Sequence, residues 1–223
     1  MNPIISDVIR ALDNIEKRFF EIEDLIFFEG NLTELPDVRR LERRFMHEFA
    51  IQYAKNMSRS DALYQGVEYD FEVPKKFMWY TNPDIPIRKT AEYINIKYGS
   101  SVNMREYMES QPDFLVHACQ SNMEYPNQKL IIEAKTNPNT PIGEAIKDIF
   151  HIFIYANKYN FQYNVLMLVH IDIDKWTNWL KEYVNKDLYM GKRRRYENIY
   201  IVSKENFGAL TEVRTIAEIL RTL

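Results

Sequence analysis

Cysteine is almost missing from this chain: Cys119 stands alone among 223 residues. A single thiol excludes an internal disulfide and any multi-cysteine zinc site, and its place in an apolar run makes it a small core residue rather than a nucleophile. Glycine is scarce as well, and the six glycines form no phosphate-cradling loop. Long apolar runs are lacking: IFIYA at 152–156 and VLMLV at 165–169 fall far short of the roughly 18 residues that a membrane span requires, so no membrane partner is expected. No charge of one sign dominates. A net charge of −3 excludes a generally basic binder but leaves room for local basic stripes. The opening MNPIISDVIRALDN lacks the basic and apolar regions of a secretion signal, which predicts a cytoplasmic setting. What is present, 46% apolar and 27% charged residues, is an ordinary globular composition in a length suited to one substantial domain.

Ile5, Val8, Leu12, Ile15, Phe19, Ile22 and Ile26 recur at steps of three and four, predicting one helix of about seven turns that ends at Gly30 and Asn31. Such a stripe can pack on its own domain or join two copies in a homodimer. Residues 1–36 are therefore read as an N-terminal helical segment, for packing or dimerisation, and 37–223 as an α/β domain. A second helix starts near Pro36 or Asp37 and turns Val38, Leu41, Phe45, Phe49 and Gln52 inward. Glu48 falls about 60° to one side of Phe45, and Glu42 about 60° to the other. GVEYDFEV reads as a strand before a proline-rich loop. DFLVHACQ and QKLIIEAKT, separated by SNMEYPN, read as a hairpin. Next come the helix IGEAIKDIFHIFIYANKYN, the strand YNVLMLVHID, a helix capped by Asp174, the basic loop GKRRRY, the strand ENIYIVS, and a terminal helix with Leu210, Val213, Ala217 and Leu220 on one face. The fold class predicted is α/β, a mixed sheet flanked by helices with an N-terminal helical extension.

The informative charges lie in the hairpin. A turn centred near Glu124 sets Asp113 opposite Lys135, Phe114 opposite Ala134 and Val116 opposite Ile132. Alternation then places Asp113, Glu133 and Lys135 on one face at one end of the pair. Two carboxylates and an ammonium at one spot can form a sheet-end salt bridge, or a divalent-cation site with an electrostatic partner for phosphodiester hydrolysis.

Pro112-Asp113 and Glu133-Ala134-Lys135, on adjacent apolar strands between two helices, resemble the PD-(D/E)XK nuclease superfamily over about residues 37 to 171. The resemblance implies a restriction-endonuclease-like fold and a Mg²⁺-dependent endonuclease acting on DNA, with Mn²⁺ as a substitute cation. It makes Asp113 and Glu133 metal ligands, joined by the Ala134 backbone carbonyl, and Lys135 the assistant of the attacking water. It also calls for a carboxylate from the preceding helix, for which Glu48 is the candidate and Glu42 the reserve. Lys147, on the polar side of the following helix with Glu144, Asp148 and His151, is placed to meet a phosphate. Lys192, Arg193, Arg194 and Arg195 repel one another and gain by facing a polyanion. RRLERR is more ambiguous, because Glu42 is interleaved with its arginines. His117 in its apolar strand is read as a hydrogen-bonded core residue. The other readings open to these residues are a non-catalytic module that holds nucleic acid or protein, and a nuclease for RNA or branched DNA.

Overall fold

Among the described residues, six strands hydrogen-bond in the simple order β1-β2-β3-β4-β5-β6. They are β1 Glu68–Asp70, β2 Phe114–His117, β3 Gln128–Lys135, β4 Tyr163–Val169, β5 Ile199–Lys204 and β6 Glu212–Thr215. β1, β2 and β3 pair antiparallel in turn, β3, β4 and β5 run parallel, and β6 closes the far edge antiparallel. The computed structural model describes residues 2–20, 38–71, 85–99, 111–118 and 124–222. Cys119, the Gly30–Asn31 helix end, and Ile22 and Ile26 of the N-terminal stripe lie outside the described residues.

Helices cover both faces: α1 Pro3–Asp13, α2 Val38–Met57, α3 Ile85–Tyr98, α4 Ile142–Lys158, α5 Ile173–Asn185 and α6 Ile216–Arg221. Strand alternation sorts the core into two layers. Leu130, Ile132 and Ala134 of β3 meet α1 and α2 on one face, and Ile131 meets α3, α4 and α5 on the other. The crossovers β3-α4-β4 and β4-α5-β5 step the same way across the sheet, so one crossover hand puts both helices on one face. α4 is apolar nearly all round because it is buried on both sides, against β3 and β4 below and α3 and α5 beside it. Gly143 allows that seat, since a Cβ there would come within 2.6 Å of the Tyr98 Cβ on α3.

Several expectations are corrected. The N-terminal helix does not run unbroken: α1 stops at Asp13 under the C-cap Asn14, and a separate turn spans Lys17–Phe20. Ile5, Val8, Leu12 and Ile15 are buried in the chain's own core beside Phe45 and Phe49 of α2. Asp7 fastens α1 there. Its buried carboxylate accepts from the Tyr64 hydroxyl at 2.8 Å and pairs with Arg10 at 3.3 Å, and its carbonyl accepts from Asn56 Nδ2.

The region read as a proline-rich loop contains α3, where Pro86 takes a first-turn position and Ile87, Thr90, Ala91 and Ile94 supply the buried face. Asp172, not Asp174, caps α5, accepting from the Asp174 amide at 2.7 Å. Residues expected to begin the terminal helix instead form edge strand β6, which leaves Leu210 exposed and only Ile216–Arg221 helical behind a Thr215–Glu218 capping box.

The hairpin is antiparallel as expected, but its register is displaced by two residues: Phe114 pairs with Ile132 and Val116 with Leu130. The cause is an asymmetric turn. A 3₁₀ turn at Tyr125–Asn127 starts β3 directly at Gln128, and the pairing is irregular between Val116 and His117. A shift of two preserves side-chain parity, so the face assigned to Asp113, Glu133 and Lys135 is unchanged.

Candidate metal centre

β3 ends with Glu133 and Lys135 on the α4 face of the sheet. Asp113 sits just ahead of β2, and its Oδ2 accepts the Ala134 N–H at 2.7 Å. That single bond fixes the expected juxtaposition, with Asp113 beside Glu133 under the observed register instead of beside Lys135. From above, α4 lowers Asp148, His151 and Tyr155, spaced one and two turns apart, onto the same strand end. Asp148 Oδ2 stands 3.4 Å from Lys135 Nζ, and Oδ1 stands 3.7 Å from Lys147 Nζ. The Tyr155 hydroxyl donates to Glu133 Oε2 at 3.3 Å.

The helix carboxylate at this centre is Glu42. Its Oε2 accepts the Thr136 N–H at 3.3 Å, just past the end of β3. Glu48 goes elsewhere: its carboxylate accepts from Gln52 Nε2 at 2.6 Å and lines a shallow surface hollow with Phe19, Arg44 and Ile51. Both flank the apolar stripe, but the rise of α2 carries Glu48 past the strand end that Glu42 meets. With Glu42 at this centre and Glu48 away from it, Glu42→Gln is expected to lower divalent-cation affinity by at least about tenfold, and Glu48→Gln to leave it within about twofold of the parent, both read by calorimetric titration. A cleft of about 440 Å³, lined by Glu42, Arg43, Met46, His47, Phe71, Gln111 and Asp113, opens the centre to solvent.

The electrostatics are one-sided. Glu42, Asp113, Glu133 and Asp148 bring four carboxylates against the ammonium groups of Lys135 and Lys147. Burial, with the charges of Glu42 and Asp148, pushes Asp113 up to about 7, although Lys135 and the Ala134 N–H act against it. Burial, then Asp113 and Asp148, hold Glu133 well above the ordinary carboxylate range. Glu42 is raised mainly by burial. Burial alone would lower Lys135, but Asp148, Glu133, Glu42 and Asp113 together hold its ammonium above the ordinary lysine range. Asp148 is fully buried, yet neither of its oxygens accepts a hydrogen bond from a described residue. Crowded, desolvated carboxylates with unfilled acceptor sites are the donor set that a cation relieves. Among the described residues, Glu133, Asp148 and His151 each bring one ligand atom within 4.8 Å of the others, a buried set that could hold a metal ion.

Five further expected members lie away from the centre or only at its edge. Lys147 stands at the rim, about one-third exposed. Lys192 to Arg195 sit at the opposite end of the parallel strands: they precede β5, whereas the carboxylates gather where β3 ends, on the order of 20 Å away at strand rise. They are also not a free loop tip. Gly191, at φ +71°, tucks the chain against Asn157, whose Oδ1 accepts the Lys192 N–H at 2.8 Å. Arg195 donates to Asn160 and lies over the Tyr125 ring. Lys192, Arg193 and Arg194 remain exposed. His117 is buried and shares a 2.9 Å hydrogen bond with Asp70.

Asp148 and His151 are legible in the sequence only as polar positions on a helix, yet both are buried. The signal is their surroundings: an aspartate and a histidine set among Ile146, Ile149, Phe150 and Ile152 cannot face water on a helix that is apolar all round. No protein-family model, curated protein or solved structure matches the chain. No described helix is long and apolar enough to cross a membrane.

Proposed function

We propose that the chain is a Mg²⁺-dependent endonuclease that hydrolyses DNA phosphodiester bonds at the end of β3, as a member of the PD-(D/E)XK superfamily with a restriction-endonuclease-like fold. The observation that carries this reading is the convergence of Asp113, Glu133 and Lys135 on one strand end beside an open cleft, bound together by the Asp113 to Ala134 hydrogen bond. DNA as the polymer comes from the resemblance, and the chemistry comes from the donor set. Hard carboxylate oxygens suit Mg²⁺, and Asp113, Glu133 and the Ala134 carbonyl would hold it. A bound divalent cation supplies charge that polarises the phosphodiester and favours ionisation of water.

The chain's own groups do the remaining work. Lys135 is held as a cation by its four carboxylates, so it acts as a hydrogen-bond donor that orients the attacking water and stabilises charge growing on the phosphoryl oxygens. Glu42 and Asp148 keep that ammonium in place. The Ala134 N–H holds one Asp113 oxygen, leaving the other for the cation. Incubation with supercoiled, single-stranded and four-way-junction DNA, and with RNA, in Mg²⁺, Mn²⁺ or EDTA tests the reading. Cleavage of a DNA substrate that stops in EDTA is expected, and no cleavage of any DNA with either cation overturns it.

The exposed arginines at the far end of the sheet would bind a more distant part of the same duplex. Replacing Arg193 and Arg194 by Ala is expected to weaken DNA binding and to flatten the plot of log affinity against log salt by up to about 0.9 for each phosphate no longer neutralised. The rate at saturating DNA stays unchanged. An unaltered salt slope places the loop outside the DNA footprint.

A further inference from the structure

We infer that Glu133, Asp148 and His151 form a second cation site, one that includes an imidazole nitrogen and therefore takes Mn²⁺ or a similar transition-metal ion in preference to Mg²⁺. Three features carry it. The potential ligand atoms of the three side chains lie within 4.8 Å of one another, and all three residues are buried. Asp148 is wholly enclosed on α4, and neither carboxylate oxygen accepts a hydrogen bond from a described residue; the nearest cations are the ammonium groups at 3.4 and 3.7 Å. The cost of burying an unsatisfied carboxylate far exceeds what a long ion pair returns, so the position is better explained by a ligand that meets the oxygens directly.

The third feature is the chemical class of the donors. Asp113 and the Ala134 carbonyl offer only oxygen. His151, one turn beyond Asp148 on the same helix face, adds nitrogen, which borderline ions accept and Mg²⁺ does not favour. Glu133 lies between the two donor sets. The inference rests on the metal-dependent reading above and deepens it by assigning the α4 side of the centre a cation of a different class.

Pulsed electron paramagnetic resonance of the full chain loaded with Mn²⁺ alone tests it. The parent is expected to show ¹⁴N coupling to the bound ion, changing to ¹⁵N coupling when histidine is ¹⁵N-labelled. His151→Gln is expected to lose the coupling and at least about tenfold in Mn²⁺ affinity, while Mg²⁺ affinity holds. Asp113→Asn is expected to keep the coupling, which shows the α4 site loaded without the oxygen-only set. Absence of ¹⁴N coupling in the folded parent, or its persistence in His151→Gln, overturns the inference and makes the Lys135–Asp148 ion pair the complete account of these residues. DNA cleavage without nitrogen coupling removes this site alone. Nitrogen coupling without cleavage of any DNA removes the nuclease reading alone.

Discussion

Lys135→Ala is expected to lower Mg²⁺-dependent DNA cleavage by about 10²–10³-fold, the loss typical of removing one preorganised charge stabiliser from a transition state. The same change is expected to leave Mg²⁺ binding intact or tighter, because it removes a cation from a cluster that already carries more carboxylates than ammonium groups. It should also make the ion-free protein less stable by about 3 kcal/mol, since it strips the buried Asp148 of its nearest positive charge and removes the cation that offsets the buried Glu133 and the half-buried Asp113. Added Mg²⁺ then restores much of that stability by binding the folded chain preferentially. Three readouts separate these effects: single-turnover cleavage, cation titration by calorimetry, and thermal unfolding with and without the ion. A Lys135→Ala protein that cleaves at the parent rate would reduce this lysine to a sheet-end salt bridge.

Asp113→Asn pushes stability the other way. In the ion-free protein Asp113 is raised from 3.8 to about 7, first by burial and then by Glu42 and Asp148. Across that interval the folded chain holds a proton that the unfolded chain has released, so the stabilising contribution is fully present below pH about 4 and is lost as pH rises through about 7. Glu133 and Glu42, also raised, add in the same direction. Asparagine can still accept the Ala134 N–H but carries no charge. In EDTA at pH 8 the variant is therefore expected to be about 1–2 kcal/mol more stable than the parent, the size of gain common when a functional strain is relieved. That corresponds to roughly 2–8 °C in melting temperature for a chain of this length. At pH 4 the two converge. Saturating Mg²⁺ reverses the order at pH 8, because only the parent has the full oxygen set. A variant that melts at or below the parent in EDTA at pH 8 would mean that Asp113 is not held under the repulsion described.

About half of the centre is legible in the sequence. Strand parity depends only on spacing, so the shared face of Asp113, Glu133 and Lys135 follows from the chain and survives a two-residue displacement in register. Spacing does not choose between Glu42 and Glu48. Both lie at similar angles from the α2 stripe, and height along the helix relative to the end of β3 decides which one arrives. That height is a tertiary quantity. Asp148 and His151 read as the polar side of their helix because polarity usually means exposure, and the rule fails where α4 is enclosed by β3, α3 and α5. The basic residues from Lys192 to Arg195 are conspicuous, but topology sends the start of β5 and the end of β3 to opposite ends of the parallel strands. The prolines around α3 hide it, although Ile87, Ala91 and Ile94 carry a helical period throughout. β6 reads as helix because its apolar residues are few and an edge strand asks for little burial.

One measurement reaches the central claim most directly: the initial rate of supercoiled DNA cleavage by the parent and by Asp113→Asn, side by side in saturating Mg²⁺ and in EDTA, with folding of both confirmed by circular dichroism. Cation-dependent cleavage by the parent, and a fall of about 10³-fold or more in the folded variant, is the expected result. Equal cleavage by the two proteins, or cleavage by the parent that persists in EDTA, would contradict the assignment of the β3 strand end as a metal-dependent phosphodiesterase centre.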